Sequence, residues 1–212
     1  MGYLGISSGI SLGVSMALCS LADVKMQLDI ATGNLTQDAR LTLYINAATQ
    51  AIETYCSREF SLNATRSEIH DGDQSNAILT LQWPINSVSE VWIDTSRLFT
   101  DITLKLSATE YGYQGSNRVT MFDQISPKGP GIIKIIYSSG YATPPYDLNL
   151  ACIWLVEWFY FHRNRQDMGR TTASKGDESL GILSEAPKMI LQLLNPYINY
   201  SLGSNYSSVL HV

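Results

Sequence analysis

The hydrophobic period of the chain switches from helical to two and back again, and each switch marks an element boundary. Between positions 36 and 56, Leu41, Tyr44, Ile45, Ala48, Ile52 and Tyr55 recur at three- and four-residue spacings. That spacing predicts a helix with one core-facing stripe, capped by Thr36. Gln37, Asp38, Arg40, Asn46, Gln50 and Glu53 fall largely on the opposite side. A shorter helix is predicted over 21–28, with Ser20 as its cap and Asp23 near its positive end. Ala31–Asn34 reads as a turn.

From Arg66 to Tyr141 the period is two, so an antiparallel β insertion is expected there. Leu79, Leu81 and Trp83 alternate with Thr80 and Gln82 until Pro84 stops the strand. Val88–Ile93 is a second strand, and Ile132–Tyr137 is the clearest. Thr109–Tyr113 and Arg118–Phe122 predict a hairpin around Gly115-Ser116-Asn117.

Pro144-Pro145 ends the insertion, and Asp147 is placed to cap a helix over 148–165. From Leu148 to Phe161 this helix carries Glu157 as its lone carboxylate, and no Lys or Arg. Trp154, Trp158 and Phe161 share one side; Leu148, Cys152, Leu155 and Phe159 share another. A helix apolar nearly all round must be buried nearly all round. The run is too short to cross a bilayer, which takes ~20 apolar residues. Burial in the chain's own core and burial against a second copy both satisfy the pattern. Large aromatics favour the second, so Trp154, Trp158, Phe161, Arg163 and Arg165 are the candidate subunit interface. His162, Arg163 and Arg165 also suit the negative end of the helix dipole.

Gly169–Gly181 is a polar loop, and a last helix is predicted over 185–197, capped by Ser184. The expected organisation is an arm (1–19), a single domain (20–198) and a tail (199–212). The fold class is α+β: a small bundle of about four helices, with an antiparallel β insertion (66–141) between the second and third long segments.

Composition narrows the function. The 212-residue chain is only 16% charged and has a net charge of −5. The acidic balance disfavours a broad nucleic-acid-binding surface, and a charge-poor surface suits protein contacts. Cys19, Cys56 and Cys152 are far apart and read as reduced thiols rather than a zinc site. The arm is apolar and Gly/Ser-rich, with no basic residue before Lys25, so it is not a secretory signal. Ile6 removes the myristoylation pattern. The arm is either loose or ordered on a partner.

Among catalytic motifs there is no P-loop, GxGxxG or HExxH, and the GxSxG strings at Gly5–Gly9 and Gly9–Gly13 fall in the Gly/Ser-rich arm, not between a strand and a helix. Ser138-Ser139-Gly140 follows a predicted strand as a nucleophile turn would, but it leads into Pro-Pro rather than directly into a helix. Asp71-Gly72-Asp73 is a fragment of a calcium loop without its later ligands, and reads as a turn. His70 is expected to be exposed at a strand end. Glu157 and His162, five apart, cannot form a helical metal pair. No catalytic residue, metal or cofactor is expected, and the chain is read as a non-enzyme.

Several segments in order resemble the head–tail connector (adaptor) family of tailed bacteriophages. Leu21-Ala22-Asp23-Val24-Lys25, Asp38 and Ile45–Glu53 are similar to its short helix and "A…AIE.Y" helix. Ile135–Tyr141, Pro145, Asp147-Leu148, Ala151 and Arg163 resemble a strand ending "Y..GY", then "P.DL..A" and a long helix. Leu81–Val88 looks like the strand and turn of members with a β insertion, and Pro187–Tyr197 like their closing helix. The resemblance implies a homo-oligomeric ring of about a dozen copies under the portal, in the virion neck, made in the host cytoplasm. It also implies a surface for a stopper or tail protein, and a channel through which DNA passes without specific binding. In the family the C-terminal segment commonly engages the portal, making Tyr200, Leu202, Tyr206, Val209 and Leu210 candidate portal contacts. The long β insertion and the Gly/Ser-rich arm depart from the compact members.

Three competing readings are carried forward. One is a stopper or tail-completion protein of the same neck. Another is a ligand-binding module displaying Trp83, Trp92, Tyr111 and Tyr113 on the sheet. The third is an enzyme with a scattered site, which requires a pocket of convergent polar groups with perturbed pKa values.

Overall fold

Ser20 caps the first helix: its hydroxyl accepts the Asp23 N–H at 3.1 Å and starts α1 (Leu21–Gln27). In the computed structural model, residues 16–162 and 187–199 are described. Helix α2 (Asp38–Cys56) starts later than Thr36, the expected cap. The Thr36 hydroxyl is spent on Asn34 Oδ1 at 2.6 Å, inside the preceding turn. The α1–α2 connection is pinned by Lys25, which is buried, ion-paired with Asp38 and bonded to the Thr32 and Asn34 carbonyls at 3.2 and 2.9 Å. Helix α2 ends on Ser57 in the left-handed conformation, with φ of 52°.

Two sheets follow. In the larger, β6 (Lys128–Ser139) is central between β1 (Asn63–Asp73) and β3 (Ile85–Ile93), all antiparallel. The smaller has the order β2 (Ala77–Leu79), β5 (Arg118–Met121), β4 (Tyr111–Tyr113). Ile78, Val91, Val119, Met121, Ile135 and Tyr137 from both sheets form one apolar core. The predicted hairpin exists, with Tyr111 opposite Met121 and Tyr113 opposite Val119.

Three expectations about the insertion are corrected. The strand expected over Leu79–Trp83 stops at Leu79, because Thr80 turns the chain: its hydroxyl lies within bonding distance of the Gln82 and Asn117 carbonyls, at 3.0 and 3.1 Å. Asp71-Gly72-Asp73 is the end of β1, not a turn. A Cβ on Gly72 would lie 1.8 Å from the Pro127 carbonyl, so only glycine fits there. His70 lies within β1 rather than at its end, half-buried, with Nε2 3.0 Å from Glu68.

Helix α3 (Tyr146–His162) packs against α1, α2 and α4 (Lys188–Leu194) around a second core. Asp147, expected as a cap, lies inside the first turn of α3 and accepts the Tyr197 hydroxyl at 2.7 Å. Residues 195–197, expected as α-helix, form a 3-10 turn carrying Pro196. Leu18 and Cys19, expected in the arm on composition, are 0% and 4% exposed and belong to the helical core. Residues 1–15 of that arm lie outside the described residues, as do positions 163–165 of the predicted third long helix and 185–186 of the last.

The two cores are joined by a short polar and aromatic seam. Arg58 is buried with its guanidinium 3.8 Å from the Trp83 ring centre and 4.8 Å from that of Phe60, and it donates to the Trp83 carbonyl. Backbone bonds from Tyr141 to Phe60 (2.8 Å) and from Asn199 to Cys56 (2.9 Å) close the joint, and Asn199 Nδ2 donates to the Leu81 carbonyl at 2.9 Å.

Candidate functional site

The C-terminal half of α3 and the start of α4 leave an apolar groove of about 270 Å3. Trp154, Trp158 and Phe161 line it from α3, and Met189 and Ile190 from α4, with Pro187 at the head of that helix. The 3.6-residue repeat places the three aromatics on one side of α3, while Leu148, Cys152 and Leu155 are fully buried on the side facing α1 and α2. Trp158 is held edge-on to Phe159 and stacked on His162, with ring centres 5.6 and 4.6 Å apart. His162 is fixed in turn through Nδ1, 2.8 Å from the Trp158 carbonyl. Glu157 accepts from Gln27 Nε2 at 3.0 Å, so the groove's carboxylate is tied to α1. Phe161 remains 63% exposed.

Three of the five sequence-derived interface residues, Trp154, Trp158 and Phe161, thus meet in this groove. Arg163 and Arg165 lie outside the described residues, as do Tyr200, Leu202, Tyr206, Val209 and Leu210. Sequence reasoning missed Pro187, Met189 and Ile190, because the groove forms only when α4 packs on α3. Met189 at the start of a short helix was the available signal.

A second surface feature was not legible in the sequence. After β3 the chain forms a loop around Asp94, whose carboxylate accepts the Ser96 hydroxyl at 2.6 Å. The same carboxylate accepts the N–H groups of Ser96, Leu98 and Phe99 at 2.7, 3.1 and 2.8 Å. The Ser96 hydroxyl, then these N–H groups, hold Asp94 below the usual carboxylate range. Arg97 and Phe99 adopt φ of 62° and 52°, and the loop presents Leu98 and Ile102 to solvent.

The aromatic ligand platform is not present as expected. Trp92 and Tyr111 are each 8% exposed, and Trp83 lies under Arg58. Of the four rings only Tyr113 is exposed, at 39%. Burial pushes the Cys56 thiol up to about 12 and raises the Tyr137 phenol, beside Glu68. These shifts belong to packed interiors rather than to a cleft. Among the described residues no group of His, Cys, Asp and Glu is arranged to hold a metal ion, and no helix is long and apolar enough to cross a membrane.

Comparison with solved structures gives the same fold three times. The neck of an empty gene transfer agent particle, computed with C6 symmetry, contains a chain similar over 89% of this one and 91% of its own length, at 16% identity and TM-score 0.54. The neck of the native particle, computed with C12 symmetry, gives 18% identity and TM-score 0.53 over 86% and 89%. The native gene transfer agent virion gives 18% identity and TM-score 0.55 over 89% and 91%. No curated protein sequence matches the chain. The sequence family described as head completion protein matches residues 17–200. This span takes in the two sheets and four helices of the described residues and the seam that joins them, and the chain belongs to the head completion protein family.

Proposed function

We propose that this chain is a structural component of a virion neck. It forms a ring of about a dozen copies under the portal, extends the DNA channel and links the capsid to the tail. The observation that carries this reading is the apolar groove of α3 and α4, with Phe161 left 63% exposed beside Trp154 and Trp158. An aromatic groove of this kind is poor as free surface and suitable as a subunit contact. The C12 symmetry applied to one neck of similar fold supports the copy number.

In this reading Trp154, Trp158, Phe161, Arg163 and Arg165 meet the neighbouring copy. Tyr200, Leu202, Tyr206, Val209 and Leu210 meet the portal, and a stopper or tail protein binds the opposite rim. The work is mechanical, with no catalytic step. In this reading the Arg58 seam, stacked on Phe60 and Trp83, is the contact through which load passes between the helices and the sheets. A net charge of −5 limits adhesion of DNA if the acidic groups line the bore.

Removing this chain from the particle's genome tests the reading. Filled heads without tails, losing DNA on storage, are expected in electron micrographs and nuclease-protection assays. Normal tailed particles from the same deletion would overturn it.

A further inference from the structure

Two buried thiols face each other in the helical core. Cys19 Sγ lies 3.0 Å from Cys152 Sγ, although 133 positions separate them along the chain. About 1 Å of further approach brings the sulfurs to the length of a disulfide bond. The backbone beside Cys19 is already fixed against both partner helices. The Leu18 N–H donates to Thr49 Oγ1 of α2 at 3.2 Å, and Asn149 Nδ2 of α3 donates to the Leu18 carbonyl at 3.1 Å. Thr49 Oγ1 is also 3.9 Å from Cys152 Sγ. The third thiol, Cys56, is buried at the C-terminal end of α2 and has no sulfur partner among the described residues.

We propose that Cys19 and Cys152 form a disulfide site that staples the leading segment of the domain to α3, closed by exchange with a small-molecule disulfide of the glutathione class. Cys19 gives its proton to solvent and attacks one sulfur of the reagent. The reagent's S–S bond breaks, and its other half leaves as a thiolate that takes up a proton. Cys152, deprotonated in turn, attacks the Cys19 sulfur and expels the second reagent thiol. Two protein thiols are oxidised, and one reagent disulfide is reduced to two thiols.

In the closed core both sulfurs are shielded from solvent, and the contact with Cys152, followed by burial, pushes the Cys19 thiol up. Exchange therefore follows local opening of residues 16–19, after which the segment recloses over a covalent bond. The bond encloses α1, α2 and both sheets in one loop. This chemistry rests on the geometry alone. Its timing rests on the neck reading: the thiols stay reduced in a host cytoplasm and close once the particle reaches an oxidising exterior.

The test uses purified full-length chain in glutathione buffers from reducing to oxidising, quenched with an alkylating agent and mapped by peptide mass spectrometry. The expected map shows Cys19 and Cys152 in one linked peptide pair, two hydrogens lost, and Cys56 still alkylated. The linked chain melts about 5–10 °C higher. Cys19→Ala and Cys152→Ala lose that shift, and Cys56→Ala keeps it. Glutathione adducts without a protein disulfide, a link through Cys56, or a linked chain with unchanged melting would each overturn the proposal. The wild-type map decides the pairing even where a variant fails to fold. The assay involves neither ring nor portal, so its failure leaves the neck reading standing, and absent rings leave the thiol pairing standing.

Discussion

Truncating two side chains on the same helix separates folding from assembly. Phe161 is 63% exposed, so of ~200 Å2 of aromatic side chain about 125 Å2 is still available for contact. Covering that area stabilises a subunit contact by about 3 kcal/mol at ~25 cal/mol per Å2, or roughly a hundredfold in affinity. The free chain has only the remaining third of that surface to lose, so Phe161→Ser destabilises it by at most about 2 kcal/mol. Leu155 is fully buried in the same helix, and Leu155→Ala should cost the free chain about 2–5 kcal/mol by leaving a cavity. Urea unfolding followed by circular dichroism reads the folding losses, and sedimentation velocity across a concentration series reads the contact affinity. Phe161→Ser is expected to lose less folding stability than Leu155→Ala while its assembly midpoint moves up by about two decades in concentration. A Phe161→Ser chain as unstable as Leu155→Ala, or one that assembles like wild type, would refute the assignment of this groove.

Tyr137 is buried; its hydroxyl donates to Glu68 and accepts the Gln82 N–H at 3.3 Å. Tyr137→Phe should therefore lower stability by about 1–3 kcal/mol in urea titrations, and no change would show that water replaces the hydroxyl. Arg58→Ala removes the stack on Trp83 and Phe60 and should cost about 2–4 kcal/mol, whereas Arg58→Met, which keeps the packing without the buried charge, should recover at least half. Equal losses in the two variants would place the effect in the charge rather than the packing. High pH should also unfold the chain. Burial raises the Cys56 thiol from 9.0 to about 12, so the folded state holds this proton more tightly than the unfolded state. That stability is complete below the unfolded value and is lost as pH rises through the folded one. The Tyr137 and Tyr197 phenols shift in the same direction. The urea midpoint should fall steadily from about pH 9 upward, and a flat profile to pH 12 would contradict the burial of these groups.

The sequence revealed elements whose pattern is set by burial and obscured those set by pairing. The stripe of Leu41, Ile45, Ala48 and Ile52 is legible because all four face the helical core. The hairpin around Gly115 is legible because its turn residues are local. Strand β1 was not legible as a separate element: Ile69 is its one large apolar side chain, and that residue is 61% exposed. Its place at the sheet edge comes from backbone pairing with β6, which leaves no periodic trace. Lys25 was hidden for a different reason. Its burial depends on Asp38 and on two carbonyls of the intervening turn, and nothing in a single residue announces such a socket. Leu18 and Cys19 were masked by their Gly/Ser-rich neighbours, although their own side chains are apolar. At the candidate site, Trp154, Trp158 and Phe161 were found through helical spacing, whereas Met189 and Ile190 required the packing of α4. The strained loop on Asp94 was invisible, since its form comes from four hydrogen bonds converging on one carboxylate.

The central claim is that this chain builds a ring on a portal. Native mass spectrometry of the purified chain, alone and mixed with its cognate portal ring, tests that claim directly. The account predicts a discrete assembly of about a dozen copies, formed either by the chain itself or on the portal. A chain that stays monomeric in both samples, with no portal-bound species, would contradict it.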